Sequence, residues 1–416
     1  MRLASPGHPH LTYCTNIHPG ETWEEVRNNI QDYVLAVKRQ VAPDRPFGIG
    51  LRLSSQAAEE LSQPDTLEAF GNFLHANNLY VFTINGFPYG RFHGQHVKEQ
   101  VYLPDWLDER RLVYTNRLAQ LLAGLLPTGW GLEDFDGSIS TVPGAFRACV
   151  TGEAEIERMV DLLLRHLVEL HHLRERTGRL ISLALEPEPC CWLETVDETI
   201  AFFESRLFSQ RTITRFSVLT GLPRGAVETF LRRHVGVCFD ACHMAVAFED
   251  PEAAIHAFQT AGIRIGKIQL SAGLKVTFDG DTSERLRLLK HFDDGIYLHQ
   301  VVERQAERLT RYVDLPEAGQ SIFNRERPPD EWRIHFHVPL FRERLGPLSN
   351  TQDFLRRLLN VLRCETVTTH LEVETYTWNV LPDEYRGEGI IASVARELQW
   401  VIERLQGEGL SSEDKA

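Results

Sequence analysis

One alternation constrains this chain more than any other feature, and it runs the whole length. Eight short apolar runs, at 11–16, 47–53, 80–85, 137–142, 180–186, 235–240, 263–271 and 370–375, are separated by longer amphipathic stretches. Most of the runs are rich in β-branched or aromatic residues, which suits strands. The stretches at 22–40, 66–77, 109–126, 153–177, 195–207, 351–362 and 390–405 read as helices. The clearest is 153–177, where Met159, Val160, Leu163, Leu167 and Leu170 recur at helical spacing and Gly178 ends the pattern. Thr22 with Glu25, and Thr195 with Glu198, have the spacing of capping boxes. Repeated strand–helix units imply parallel strands joined by helical crossovers. Eight of them predict an α/β fold of the closed (β/α)8 barrel kind rather than an open doubly wound sheet. No glycine-rich phosphate fingerprint follows the first run, which weakens the open-sheet alternative.

The chain is longer than a minimal barrel, and the excess falls at 87–108, 208–233 and 275–348. We expect one barrel domain over 1–406 with these insertions at its rim, and a disordered tail at 407–416. The largest insertion reads as a helical stretch at 283–311 followed by an unusual segment at 332–341, which contains His335 and His337.

Composition narrows the function. The formal charge is −14, a field that opposes nucleic acid, whose binding depends on neutralised phosphates. No apolar run is long enough to span a bilayer, and the first ten residues carry no signal-peptide core. The seven cysteines include no Cys-x-x-Cys pair, which suits a reducing compartment and buried thiols. These readings favour a cytoplasmic protein acting on a small molecule.

In such barrels the chemistry sits at the C-terminal ends of the strands. The fifth run ends at Glu186, the sixth at Asp240 with His243 close behind, and the eighth carries His370, Glu372 and Glu374 on one face. Lys267, Gln269 and Ser271 share a face of the seventh. Carboxylates gathered at apolar strand ends are costly unless paired or bound to a cation. Glu186, Asp240, His243 and Glu374 would form an oxygen-rich site with one imidazole, suited to Mn, Mg, Co, Fe or Zn. The alternative for each is an ion pair with one of the many arginines. Asn16, His18, Arg52, Asn85 and His93 stand at or beyond other strand ends as candidate substrate-binding groups, with Glu372 beside them. Arg52 or Arg91 suits a phosphate or carboxylate. Phe87, Tyr89, Phe92, Tyr102 and Trp106 either wall a sugar-like ligand or pack the loop onto the barrel.

The run Phe-Asp240-Ala-Cys-His243-Met resembles the Asp-x-x-His segment of xylose-isomerase-like barrels, a superfamily of sugar and sugar-phosphate isomerases, 3-epimerases and endonuclease IV. The resemblance implies metal ligands from strands five to eight: Glu186, Asp240 with His243 nearby, a histidine on strand seven, and Glu374 or Glu372. Here Gln269 stands where that histidine is expected, and His335 or His337 would restore the imidazole. Over nearly the full length the chain is similar to the E proteins of the bacterial Ebo gene cluster, a family of metabolite traffic proteins. The phrases that carry this include Thr-Asn16-Ile-His18-Pro-Gly, Asn85-Gly-Phe-Pro-Tyr-Gly-Arg-Phe-His93-Gly, His335-Phe-His337-Val-Pro and His370-Leu-Glu-Val-Glu374-Thr-Tyr-Thr-Trp.

Together these readings predict a metal-dependent isomerase or epimerase of a sugar-like or cyclitol-like, optionally phosphorylated, metabolite. Glu186 and Glu374 would exchange protons with substrate carbon, and Lys267 would stabilise a developing oxyanion. The metal set would be Glu186, Asp240, His243, Gln269, His337 and Glu374. The alternative is a non-catalytic binding or trafficking protein whose degenerate site holds no metal. The family resemblance implies other Ebo-cluster proteins as partners, leaves homo-oligomerisation open, and implies neither nucleic acid nor membrane insertion.

Overall fold

In the computed structural model, residues 1–93, 97–127, 135–322, 325, 327–387 and 389–406 are described. The tail expected to be disordered, 407–416, lies outside them. The strands are β1 (His10–Tyr13), β2 (Phe47–Arg52), β3 (Leu79–Asn85), β4 (Gly137–Thr141), β5 (Ile181–Leu185), β6 (Val235–Asp240), β7 (Arg264–Leu270), β8 (Gly273–Thr277), β9 (Val301–Gln305), β10 (Arg308–Tyr312), β11 (Glu331–His337), β12 (Arg344–Leu345), β13 (Leu348–Asn350) and β14 (His370–Val373). The eight apolar runs become one parallel sheet in the order β1-β14-β7-β6-β5-β4-β3-β2. Nearly every residue of these eight strands is buried on both faces, as expected when helices cover the outside of a parallel sheet.

The seam between β1 and β2 closes the barrel. A parallel bridge joins Cys14 to Gly50, and the Thr12 hydroxyl donates to Gly48 O at 2.7 Å and accepts from Gly50 N at 3.2 Å. One side chain thus takes the place of ladder hydrogen bonds. Gly50 is required there, because a Cβ would lie 1.9 Å from Glu372 Oε1 and 2.8 Å from Tyr13 O.

The helices follow from their caps. Both expected capping boxes form, on Thr22/Glu25 and Thr195/Glu198, and Gly178 ends Glu153–Thr177 in the left-handed conformation. The stretch at 22–40 is helical throughout, with one π-type turn at Ile30–Val34. The excursion at 208–233 is two helices, Gln210–Thr220 and Arg224–His234.

The largest insertion corrects the sequence reading. The helix expected over 283–311 stops at Leu289. Residues 301–312 are instead the hairpin β9–β10, which turns through Ala306 at φ 52°. β8 leaves the end of β7 at once and founds a six-stranded antiparallel sheet, in the order β10-β9-β11-β8-β13-β12. This sheet docks at the C-terminal mouth of the barrel. Val338 N donates to Ala272 O at 2.9 Å, and the His337 ring contacts Glu374 O at 2.6 Å. An irregularity in the β8–β11 pairing falls between Ile334 and His337, and such bulges re-aim side chains. No described helix is long and apolar enough to cross a membrane.

Candidate metal centre

Strand order decides which side chains meet. Asp240 ends β6 in register with Gln269 of β7, which in turn pairs with Glu372 of β14. Glu186 and Glu374 stand one residue beyond β5 and β14. Ligand atoms of Glu186, Asp240 and Glu374 all lie within 4.8 Å of one another, and so do those of Asp240, His243 and His337. Asp240 is common to both groups, and all five residues are buried.

Asp240 is also the N-cap of the helix Ala241–Val246. Its Oδ1 accepts from His243 N at 2.9 Å and from the Ser271 hydroxyl at 2.8 Å, and Oδ2 has no partner. Burial works against this carboxylate. The His243 and His337 rings, the His243 N–H and the Ser271 hydroxyl outweigh it and hold its pKa below the ordinary range. Glu186 and Glu374 go the other way. Burial first, then Asp240 and the neighbouring glutamates, push both well above the ordinary range, and Lys267 only partly offsets this. Three carboxylates this close do not all ionise without a cation.

The donors fit a divalent ion. Glu186 Oε2, Asp240 Oδ2 and His337 Nε2 are buried without hydrogen-bond partners. His337 Nδ1 lies 2.6 Å from Glu374 O, an atom that can only accept, so Nδ1 carries the proton and Nε2 presents a lone pair. Three carboxylates and one imidazole match the hard-to-borderline divalent cations. Glu374 is aimed by two amides: Asn16 Nδ2 donates to its Oε1 at 2.7 Å and Asn85 Nδ2 at 3.0 Å.

The other candidates divide. Asn16, Asn85, Glu186, His243 and Glu374 line a cleft with about 500 Å³ of empty space, walled by Phe87, Phe92, Tyr102, Tyr297 and Tyr376. Tyr89 packs instead against Tyr114 and Trp106 is fully buried, so only part of the aromatic loop faces the cleft. Arg52 is occupied with Glu21, Gly20 O and Gly90 O. His18 stacks on Tyr33 and bonds the Tyr13 hydroxyl at 3.0 Å. His93 is held between Asn16 O at 2.6 Å and the Tyr297 hydroxyl at 2.9 Å. Lys267 Nζ lies 2.5 Å from Glu372 Oε2, with both side chains almost fully buried and neither lining the cleft. Burial opposes the Lys267 charge, and Glu372 overrides it and holds the ammonium above its ordinary pKa. Gln269 Oε1 accepts from the Cys238 thiol at 3.0 Å, while its Nε2 has no partner.

A second polar cluster was only partly legible in the sequence. Glu188, His243 and His335 form another group with ligand atoms within 4.8 Å. Tyr102 donates to Glu188 Oε1 at 2.7 Å, and Gln300 Nε2 donates to the Tyr102 oxygen at 2.7 Å. The repeated Glu-Pro of Glu186-Pro-Glu188-Pro was the available signal for Glu188. Nothing in the sequence pointed to Gln300.

Sequence comparison matches no family model and no curated protein. Among solved structures the chain is similar to a xylose isomerase-like TIM barrel protein from Mycobacterium smegmatis in complex with magnesium (12% identity, 97% of this chain and 98% of that one, TM-score 0.47). It is also similar to an IolI protein with a bound zinc atom (10%, 96% and 100%, 0.45). A third likeness is to the D-psicose 3-epimerase of Clostridium cellulolyticum H10 with D-tagatose (11%, 96% and 98%, 0.45).

Proposed function

We propose that this barrel is a metal-assisted isomerase or epimerase of a sugar-like or cyclitol-like metabolite. The observation that carries the reading is the convergence of Glu186, Asp240 and Glu374 within 4.8 Å of one another, with Glu186 and Glu374 lining the cleft and Glu186 Oε2, Asp240 Oδ2 and the His337 Nε2 lone pair unpartnered. A divalent cation held by these four residues would supply Lewis acidity toward adjacent substrate oxygens. Glu186 and Glu374 come from different strands, so one takes a proton from substrate carbon and the other returns it. Asn16 and Asn85 fix the orientation of Glu374 for that exchange. Lys267 acts through its field, lowering the pKa of both glutamates from outside the cleft. The aromatic wall excludes water and offers faces to a sugar ring.

The test is solvent exchange. The Mn²⁺-loaded protein should incorporate deuterium from D2O into at least one of a panel of ketohexoses and keto-cyclitols, and both Glu186→Gln and Glu374→Gln should abolish it. Undiminished exchange in both variants would refute the mechanism. A metal-loaded protein with no exchange on any of them would favour the second reading, a binding protein on a barrel whose strand-seven position is Gln269. The resemblance to the Ebo family supports a cytoplasmic role in making a small metabolite for export, alongside other proteins of that cluster.

A further inference from the structure

Arg111 is a charged residue in a place that suits an apolar one. It lies on the helix Glu109–Leu125 and is fully buried. Its hydrogen bonds go to backbone carbonyls rather than to a carboxylate. Nε donates to Pro104 O at 2.7 Å, Nη1 to Gly86 O at 2.6 Å and Nη2 to Phe87 O at 3.0 Å. Burial works against the charge and brings its pKa down to about 10, so the side chain is still a cation at neutral pH. Taking a guanidinium out of water without a counter-ion is costly, and charge-assisted hydrogen bonds to three carbonyls offset that cost. An apolar side chain would fill the space with no such cost, so the use of the fork lies in what it holds.

The three carbonyls belong to the two ends of the aromatic loop. Gly86 and Phe87 open it, and Pro104 stands near its close. Phe87 and Tyr102 lie between these ends and wall the cleft, with ring centres 5.7 Å apart. The Gly86–Phe87 end also governs Asn85. Gly86 N donates to Ser140 O at 2.9 Å, and Phe87 N donates to Asn85 Oδ1 at 3.0 Å. With its oxygen taken by Phe87 N, the Asn85 amide turns Nδ2 toward Glu374 Oε1, 3.0 Å away. Gly86 is packed tightly: a Cβ there would lie 2.8 Å from Leu118 Cδ1 and 3.0 Å from Ser140 O. One run of contacts thus leads from the guanidinium, through a single turn of backbone, to Glu374. It needs a planar fork that reaches several carbonyls at once, which the point charge of a lysine does not provide.

We infer that Arg111 is a positioning residue: its guanidinium fixes the turn at 85–87, and through Asn85 it sets the direction from which Glu374 meets a cation. The bond to Pro104 O fixes the other end of the loop and so the width of the cleft. The inference rests on the metal-assisted reading for its consequence at Glu374, and on the hydrogen bonds alone for its consequence at Asn85.

Two variants of the full chain test it. Arg111→Lys keeps the charge and loses the fork. Arg111→Gln removes the buried charge and serves where Arg111→Lys does not fold, with circular dichroism reporting the fold. Stripped with chelator and titrated with Mn²⁺, each should bind at least about tenfold more weakly than the parent, as happens when groups behind a ligand are removed. Asn85→Ala should lose about as much. Because Arg111 acts through Asn85, adding either Arg111 substitution to Asn85→Ala should weaken binding by no more than about a further twofold. The Co²⁺-loaded Arg111 and Asn85 variants should share one altered visible spectrum, a signature that lost stability alone does not produce. Amide hydrogen exchange reads the same turn without metal, and Phe87 N–H should lose protection in both Arg111 variants. Parental Mn²⁺ affinity and parental Co²⁺ bands in a folded Arg111 variant would overturn the inference, as would losses that multiply in the double variant. Bound Mn²⁺ with the expected losses, but no solvent exchange into substrate, would sink the isomerase reading and leave this one standing. A parent chain that binds no divalent ion would end the metal-assisted reading. Protection at Phe87 N–H then decides the role of Arg111, and its persistence in both variants overturns it.

Discussion

The buried ion pair of Lys267 with Glu372 gives the sharpest quantitative test of how the barrel interior is held. The Nζ–Oε2 distance is 2.5 Å. Coulomb's law puts the attraction at about 7 kcal/mol at an effective dielectric of about 20, and the cost of taking both charges out of water offsets most of it. Removing the cation alone is another matter. In Lys267→Met the Glu372 carboxylate stays buried, and its Oε1 already lacks a partner. That leaves an uncompensated buried charge, which costs about 3–5 kcal/mol. Urea unfolding at neutral pH should therefore show Lys267→Met less stable than the parent by about that amount. Lys267→Met/Glu372→Gln removes both charges and should recover most of the loss. A Lys267→Met protein as stable as the parent, or a deficit that the double variant does not recover, would refute the assignment of a structural ion pair.

Three further outcomes follow from single contacts. Gly50→Ala drives a methyl to within 1.9 Å of Glu372 Oε1 and 2.8 Å of a backbone oxygen; it should lower stability by at least about 1–3 kcal/mol, and a melting temperature equal to the parent's would show that the β1–β2 seam is looser than described. Thr195→Ala removes the capping-box hydroxyl of Val196–Phe202, so it should cost about 1 kcal/mol in denaturant unfolding while leaving metal content unchanged. His234 is held neutral, with burial the main cause and its pKa lowered to about 3, so its contribution is complete above the unfolded value of about 6.5 and is lost on acidification. His234→Gln should therefore lose less stability than the parent on acidification, by up to about 1.4 kcal/mol per pH unit between about pH 6 and 4, and parallel stability–pH curves would count against a buried neutral ring.

The barrel was legible because its signals are local and repeated. All eight apolar runs became strands, 235–240 with its bounds unchanged, since a parallel strand wrapped by helices reads as an apolar run whatever lies beside it. The hairpin at 301–312 was not legible. Val-Val-Glu-Arg-Gln-Ala-Glu-Arg-Leu-Thr-Arg places opposite charges at helical spacing, and its turn passes through Ala306 at φ 52° without the usual glycine or asparagine. The strand-end carboxylates could be named from the barrel rule alone. The Tyr102–Glu188–Gln300–His335 network could not, because Tyr102 and the Gln300 that bonds it lie 198 residues apart and only the fold brings them together. Arg52 looked free for an anion in sequence, yet the turn at Gly20 and Glu21 folds back and occupies it.

The imidazoles of the site therefore belong largely to the insertion rather than to the barrel. β7 presents Gln269, already engaged with Cys238, and His337 arrives on β11, which is held by the sheet that includes β8 and β9. Trp332 anchors that strand: it is fully buried, it packs on Phe278 at 5.0 Å, and its Nε1 donates to Glu303 Oε2 at 2.9 Å. None of these atoms approaches the carboxylates, so Trp332→Ala is a remote change with a defined consequence. It should cost about 3–5 kcal/mol of packing, concentrated in the insertion. If His337 holds a cation only because this sheet positions it, affinity for Zn²⁺ should fall at least about tenfold, the scale of losses when the groups that orient a ligand are removed. The helical circular dichroism should persist, because Trp332 lies in the sheet of the insertion, and limited proteolysis should cut within 275–348. Tight Zn²⁺ binding retained in a protein nicked inside the insertion would place the ligands on the barrel alone, and His337 would then be a packing residue.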